Sequence, residues 1–172
     1  MNSKNKGSSF ERKICKLLSQ WITSGERDDI LWRSISSGAW NTIKKRTTNT
    51  QIGDLTYIDP LGKPFIDKFA IECKSYKDVQ MIKLFNENSI INKWWDKINE
   101  EAGDKYPIII FKENRSCEFV VIPYSIFDVL NSDIGFSNTN YIKVGRETNT
   151  FYIIKLSDLL QNDYNKFIND IR

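Results

Sequence analysis

Apolar residues recur with two different periods along this chain, and the switches between them outline the fold. Phe10, Ile14, Leu17, Leu18, Trp21 and Ile22 fall at helical spacing and predict an amphipathic helix over residues 8–24. Ser8-Ser9-Phe10-Glu11 fits a capping box at its start, with Ser8 as N-cap and Glu11 reaching back. Ile30 to Ser36 then reads as a strand, ended by Ser37-Gly38. Asn41 to Gln51 has few apolar anchors, which predicts a long surface loop. Ile52 to Ile58 and Phe65 to Lys74 read as two strands joined through Asp59-Pro60-Leu61-Gly62-Lys63-Pro64, a connector with hairpin-turn chemistry.

Helical spacing returns with Ile90, Ile91, Trp94, Trp95, Ile98 and Ala102, and Gly103 stands where a C-cap glycine belongs. In that register Trp94 and Trp95 are core residues. Pro107 to Phe111 and Glu118 to Ile122 are apolar strands, turned by Glu113-Asn114-Arg115-Ser116. Beyond them the pattern predicts a short helix over Tyr124 to Leu130, a strand over Phe151 to Lys155 and a closing helix over Asp158 to Ile171. The order α-β-β-β-α-β-β with trailing elements predicts a mixed α/β fold, a central sheet flanked by helices. At 172 residues, with no repeat and no linker, a single domain over 1–172 is expected.

Composition narrows the chemistry. The longest apolar runs, such as Ile108 to Phe111, are far too short to span a bilayer. The basic start, Met1 to Gly7, is followed by no apolar segment of the secretory kind, so no signal peptide is read there. Cys15, Cys73 and Cys117 are too few and too scattered for a disulfide framework or a zinc site. These features predict a soluble cytoplasmic protein. The chain contains no histidine, which excludes an imidazole base, a histidine-ligated zinc and a histidine proton shuttle. Any catalysis must rest on carboxylates, lysines or an oxygen-ligated metal. Charge is also uneven: residues 1–50 hold ten Lys and Arg against four Asp and Glu, while the remainder is net acidic. A basic segment beside an acidic body fits either a solvated surface or a polyanion-binding face.

The strongest local signal is Gly53-Asp54 followed by Glu72-Cys73-Lys74. Side chains alternate along a strand, so Glu72 and Lys74 share a face, and a hairpin would bring Asp54 beside them. Two carboxylates suit Mg²⁺, which keeps several waters and takes one or two carboxylates plus substrate phosphate. Lys74 can orient or deprotonate water, or neutralise charge in the transition state. A second match to the spacing, Glu11-Arg12-Lys13, lies in the predicted helix, where residues i and i+2 diverge.

Taken in order, Lys6-Gly7-Ser8-Ser9-Phe10-Glu11-Arg12, Arg33 to Gly38, Gly53-Asp54 and Ile71-Glu72-Cys73-Lys74-Ser75 resemble the PD-(D/E)XK nuclease superfamily. Within it the chain is most similar to archaeal-type Holliday junction resolvases and their phage relatives. The resemblance covers about residues 6–122, with 123–172 as a C-terminal elaboration. It implies a restriction-endonuclease-like fold and Mg²⁺-dependent hydrolysis of DNA to 5′-phosphate ends, usually by a homodimer; oxygen ligands suit Mn²⁺ as well as Mg²⁺, and no nucleotide cofactor is expected. It implies Asp54 and Glu72 as metal ligands, Lys74 as the water-activating lysine, and Glu11 as an extra acidic residue approaching the metal through water. Ser36 or Ser37 matches an active-site serine, and the pattern does not choose between them. No proline precedes Asp54, and the connection from Asp54 to Glu72 is longer than in compact resolvases.

DNA contacts are expected from Lys6, Arg33, Lys77 and the basic loop Lys44-Lys45-Arg46, with Trp40 placed to stack on a base. Cys73 is expected to point into the core. The preferred reading is a junction-resolving endonuclease. The alternatives are a sequence-specific restriction enzyme or general phage endonuclease, and a non-catalytic DNA-binding protein on the same fold.

Overall fold

The computed structural model describes residues 3–34, 52–86, 89–132, 139–145 and 149–171. The elements in chain order are α1 (Ser3–Ile22), β1 (Leu31–Arg33), β2 (Leu55–Tyr57), α2 (Lys63–Lys68), β3 (Phe69–Tyr76), α3 (Ile90–Glu101), β4 (Tyr106–Glu113), β5 (Glu118–Pro123), α4 (Tyr124–Asn131), β6 (Ile142–Val144), β7 (Phe151–Lys155), α5 (Leu156–Leu160) and α6 (Tyr164–Asp170). The main sheet runs β3-β4-β5-β7-β6. Its β3–β4 pair is parallel and its other pairs are antiparallel. This is the mixed sheet flanked by helices of a restriction-endonuclease-like fold.

Strand alternation explains why the sheet carries two cores. On one face Ile71, Cys73, Ile108, Ile110, Val120, Ile122, Tyr152 and Ile154 pack with α1, α2 and the helices after residue 123. On the other, Ala70, Ile109, Phe111, Val121, Phe151 and Ile153 pack against α3 through Ile91, Trp94, Trp95 and Ile98. Both tryptophans are thus core residues. The segment after 123 is integral to this packing. β7 is an interior strand, and Trp21 of α1 meets Tyr164 and Phe167 of α6 edge-on or tilted.

Several sequence expectations are corrected. α1 starts at Ser3, so Ser8 is internal and the capping box does not form. Once the buried stripe has nucleated the helix, extending it through the polar residues ahead costs little. Glu11 is instead a mid-helix residue with a tertiary partner.

The expected hairpin between residues 52–58 and 65–74 also does not form. β2 pairs with β1, while β3 pairs with β4. Residues 63–68 are helical: Asp59 caps a 3-10 turn by accepting from the Leu61 N–H, and Pro64 occupies the first turn of α2. Proline there sacrifices no helical hydrogen bond. The expected closing helix is broken into α5 and α6 at Asp163, whose side chain caps α6 through the Lys166 N–H. β6 carried no clear alternation and escaped the sequence reading.

Candidate active site

Gly53 is the first determinant of the site. It makes an isolated parallel bridge to Ile71 at the open edge of β3, with φ +94°. A Cβ at residue 53 would lie 2.5 Å from the Ile71 carbonyl oxygen and 2.8 Å from its nitrogen, so only glycine allows this approach. The next residue is then fixed by three main-chain and side-chain bonds. Asp54 N–H donates to the Ile71 carbonyl at 2.7 Å, and the Asp54 carbonyl accepts from Ser34 N–H at 2.7 Å. Asp54 Oδ2 accepts from the Cys73 N–H at 2.8 Å. The aspartate thus arrives beside Glu72 and Lys74 through a bridge to the β3 edge rather than through a hairpin.

Glu72 and Lys74 project from one face of β3, the face covered by α3. Glu72 is buried, and its Oε1 accepts a close hydrogen bond from Lys74 Nζ. Burying a charge requires such a partner. Lys97 of α3 reaches the same oxygen at 3.7 Å and lies 3.6 Å from Glu101 Oε2. Cys73, between them in sequence, points to the opposite core as expected.

Burial and nearby negative charge together disfavour the ionised form of Asp54. Burial pushes the Asp54 carboxyl up, the charge of Glu72 adds to it, and its pKa stands at about 6. For Lys74, burial favours the neutral amine, but the hydrogen bond and charge of Glu72, with Asp54, outweigh it and raise the pKa. The side chain is an ammonium at neutral pH. Burial pushes Cys15 up to about 12 and Cys73 well above the ordinary thiol value, so neither provides a thiolate nucleophile.

Across the β3 edge, Glu11 on α1 is buried and its Oε2 accepts from Arg33 Nε of β1. Ser19 makes that meeting possible: its Oγ accepts from Ile30 N–H at 3.1 Å and Leu31 N–H at 2.9 Å. β1 is thereby held along α1 and carries Arg33 back to Glu11. Among the described residues, no group of three or more His, Cys, Asp or Glu side chains converges to hold a metal ion. Asp54 and Glu72 remain a two-carboxylate donor set of hard oxygens, the kind that suits Mg²⁺ retaining several waters.

Of the other expected contacts, Lys6 donates to Asn114 Oδ1 and Lys77 is exposed just beyond β3. Ser36, Ser37, Trp40, Lys44, Lys45 and Arg46 lie outside the described residues. Lys97 was missed. In sequence it is one of two lysines on an amphipathic helix, and only the docking of α3 on the sheet brings it to Glu72.

No helix of the described residues is long and apolar enough to cross a membrane. No curated protein and no solved structure matches the chain. The family model described as "Phage putative PDDEXK endonuclease" matches residues 2–169, nearly the whole sequence, and the chain belongs to that family of nucleases.

Proposed function

We propose that this protein is a Mg²⁺-dependent DNA endonuclease that leaves 5′-phosphate ends and resolves branched DNA, a four-way junction, as a two-fold dimer. The observation that carries the endonuclease reading is the meeting of Asp54, Glu72 and Lys74, with Asp54 bonded to the Cys73 N–H between the other two. Asp54 and Glu72 would hold the cation, and their mutual repulsion in a partly buried site is the charge a divalent ion relieves. When bound, Mg²⁺, or Mn²⁺ in its place, supplies Lewis acidity at the phosphoryl group and acidifies water.

The chain's own residues do the positioning. Lys74 is held by Glu72 as an ammonium on the face where the phosphate is received, so it orients the attacking water and offsets charge developing on the phosphoryl oxygens. Water oxygen joins phosphorus, the bond to the 3′ oxygen breaks, and the proton from water ends on that leaving oxygen. Glu11, in its ion pair with Arg33, stands on α1 close enough for its charge to act on Asp54. Junction selectivity rests on the resemblance to resolvases, and the dimer on the two matched nicks that resolution requires. A second reading, a phage endonuclease acting on duplex or flap DNA, is favoured by the family match, whose description names endonuclease activity without a branched substrate.

The test is cleavage of an end-labelled four-way junction against a linear duplex of the same arm sequence, with Mg²⁺ and with EDTA. Paired symmetric nicks in the junction alone, abolished by EDTA, support resolution. Equal cutting of both substrates supports the general endonuclease. No cutting of either overturns both in favour of a DNA-binding protein on this fold.

A further inference from the structure

On the α3 flank of the Glu72 face, Lys97 makes only loose ion-pair contacts. Its ammonium sits 3.7 Å from Glu72 Oε1 and 3.6 Å from Glu101 Oε2, both longer than the roughly 2.7–3.2 Å of a formed N–H···O bond. Its side chain is 57% exposed, against 29% for Lys74, which is committed to Glu72 by a close contact. An ammonium has three donors, and one that is loosely attracted to two carboxylates keeps donors for an incoming anion. One turn earlier on α3, at i−4 and therefore on the same face, Lys93 is also exposed.

We propose that Lys97 is a phosphate-binding residue that seats a DNA strand against the Glu72–Lys74 pair, and that Lys93 continues the same track along α3. The proposal rests on the nuclease reading and adds the path of the strand: along the exposed flank of α3, on the face of β3 that carries Glu72 and Lys74. Lysines fit this task, being flexible point charges that follow a phosphate backbone without reading sequence. Glu101 acts as a competitor that holds Lys97 near the site until DNA displaces it. The effect on cleavage falls on substrate affinity more than on the rate at saturation, because the contact forms with the bound strand throughout the reaction.

The experiment is fluorescence anisotropy of the full chain with labelled duplex and labelled junction in EDTA, over about 50–200 mM salt. Lys97→Gln is expected to reduce the slope of log affinity against log salt by about 0.9, one phosphate contact on duplex DNA. Lys97→Arg is expected to keep the parent slope, and the double variant with Lys93→Gln to lose about twice as much. Thermal melting of each variant separates a lost contact from a lost fold. If Lys97→Gln melts early, Glu101→Gln decides the matter: tighter DNA binding supports the proposal and unchanged binding overturns it. A folded Lys97→Gln protein with the parent slope overturns the Lys97 assignment alone. A parent protein with no salt-dependent binding of either DNA overturns the nuclease reading and this one with it.

Discussion

Gly53 and Ile71 touch backbone to backbone at the edge of β3, and the catalytic candidate Asp54 takes its place from that contact. The bridge closes with Gly53 at φ +94°, and the same Ile71 carbonyl then accepts from Asp54 N–H at 2.7 Å. A side chain at residue 53 meets main-chain atoms of β3, whose ladder to β4 leaves them little room to move. Gly53→Ala is expected to destabilise the protein by about 1–3 kcal/mol through backbone strain and displacement of the bridge. It is also expected to lower cleavage by more than the stability loss explains, because Asp54 moves with residue 53. Denaturant melts and single-turnover cleavage, measured on the same preparation, check both parts.

Asp54→Asn and Lys74→Gln remove charge at the centre of the site with little change of volume. Each is expected to reduce cleavage by about 10²–10³-fold, the scale of losing one preorganised electrostatic group. Binding to uncut DNA is expected to persist, and Asp54→Asn to tighten it by removing a negative charge near the phosphate. Cleavage kinetics and anisotropy on each variant give the answer. Parent-like cutting by either variant would exclude that residue from the chemistry.

Glu118 links the acid stability of the fold to α1. Burial pushes its carboxyl up, but hydrogen bonds from Lys13 at 2.6 Å and Lys112 at 3.2 Å hold it below the ordinary glutamate value of 4.5. A carboxylate whose pKa falls on folding stabilises the fold at pH above its unfolded value, and that contribution fades as the pH drops through the folded value. The parent protein is therefore expected to exceed Glu118→Gln in stability near neutral pH, with the gap closing below about pH 4.5. Urea melts of both proteins at a series of pH values test the sign.

Ser8 separates two accounts of α1. If it capped the helix, Ser8→Ala would cost about 1 kcal/mol. As an interior residue of a helix that starts at Ser3, it is expected to change stability by less than about 0.5 kcal/mol, since alanine is the better helix former there. Glu11→Gln, by contrast, weakens the ion pair with Arg33 and is expected to cost about 1–3 kcal/mol, more than surface pairs do. Chemical denaturation of the two variants side by side distinguishes the roles.

The sequence by itself determined the parts of this protein that depend on near neighbours. Alternation along β3 placed Glu72 and Lys74 on one face and sent Cys73 to the opposite core, because the strand period is two whatever the sheet does. Helical spacing picked out the buried stripes of α1 and α3, including Trp94 and Trp95. Tertiary structure decided what depends on partners far along the chain. Which strand β2 joins, and how Asp54 reaches Glu72, turn on the glycine bridge to Ile71, not on the turn chemistry between them. Pro64 and Gly62 suit a hairpin and a helix start equally, so local preference could not separate the two. Glu11 read as a cap until β1, anchored by Ser19, brought Arg33 to it. Lys97 became part of the site only through the packing of α3 on the sheet, since the energy of burying its apolar stripe fixes where its charged flank must lie.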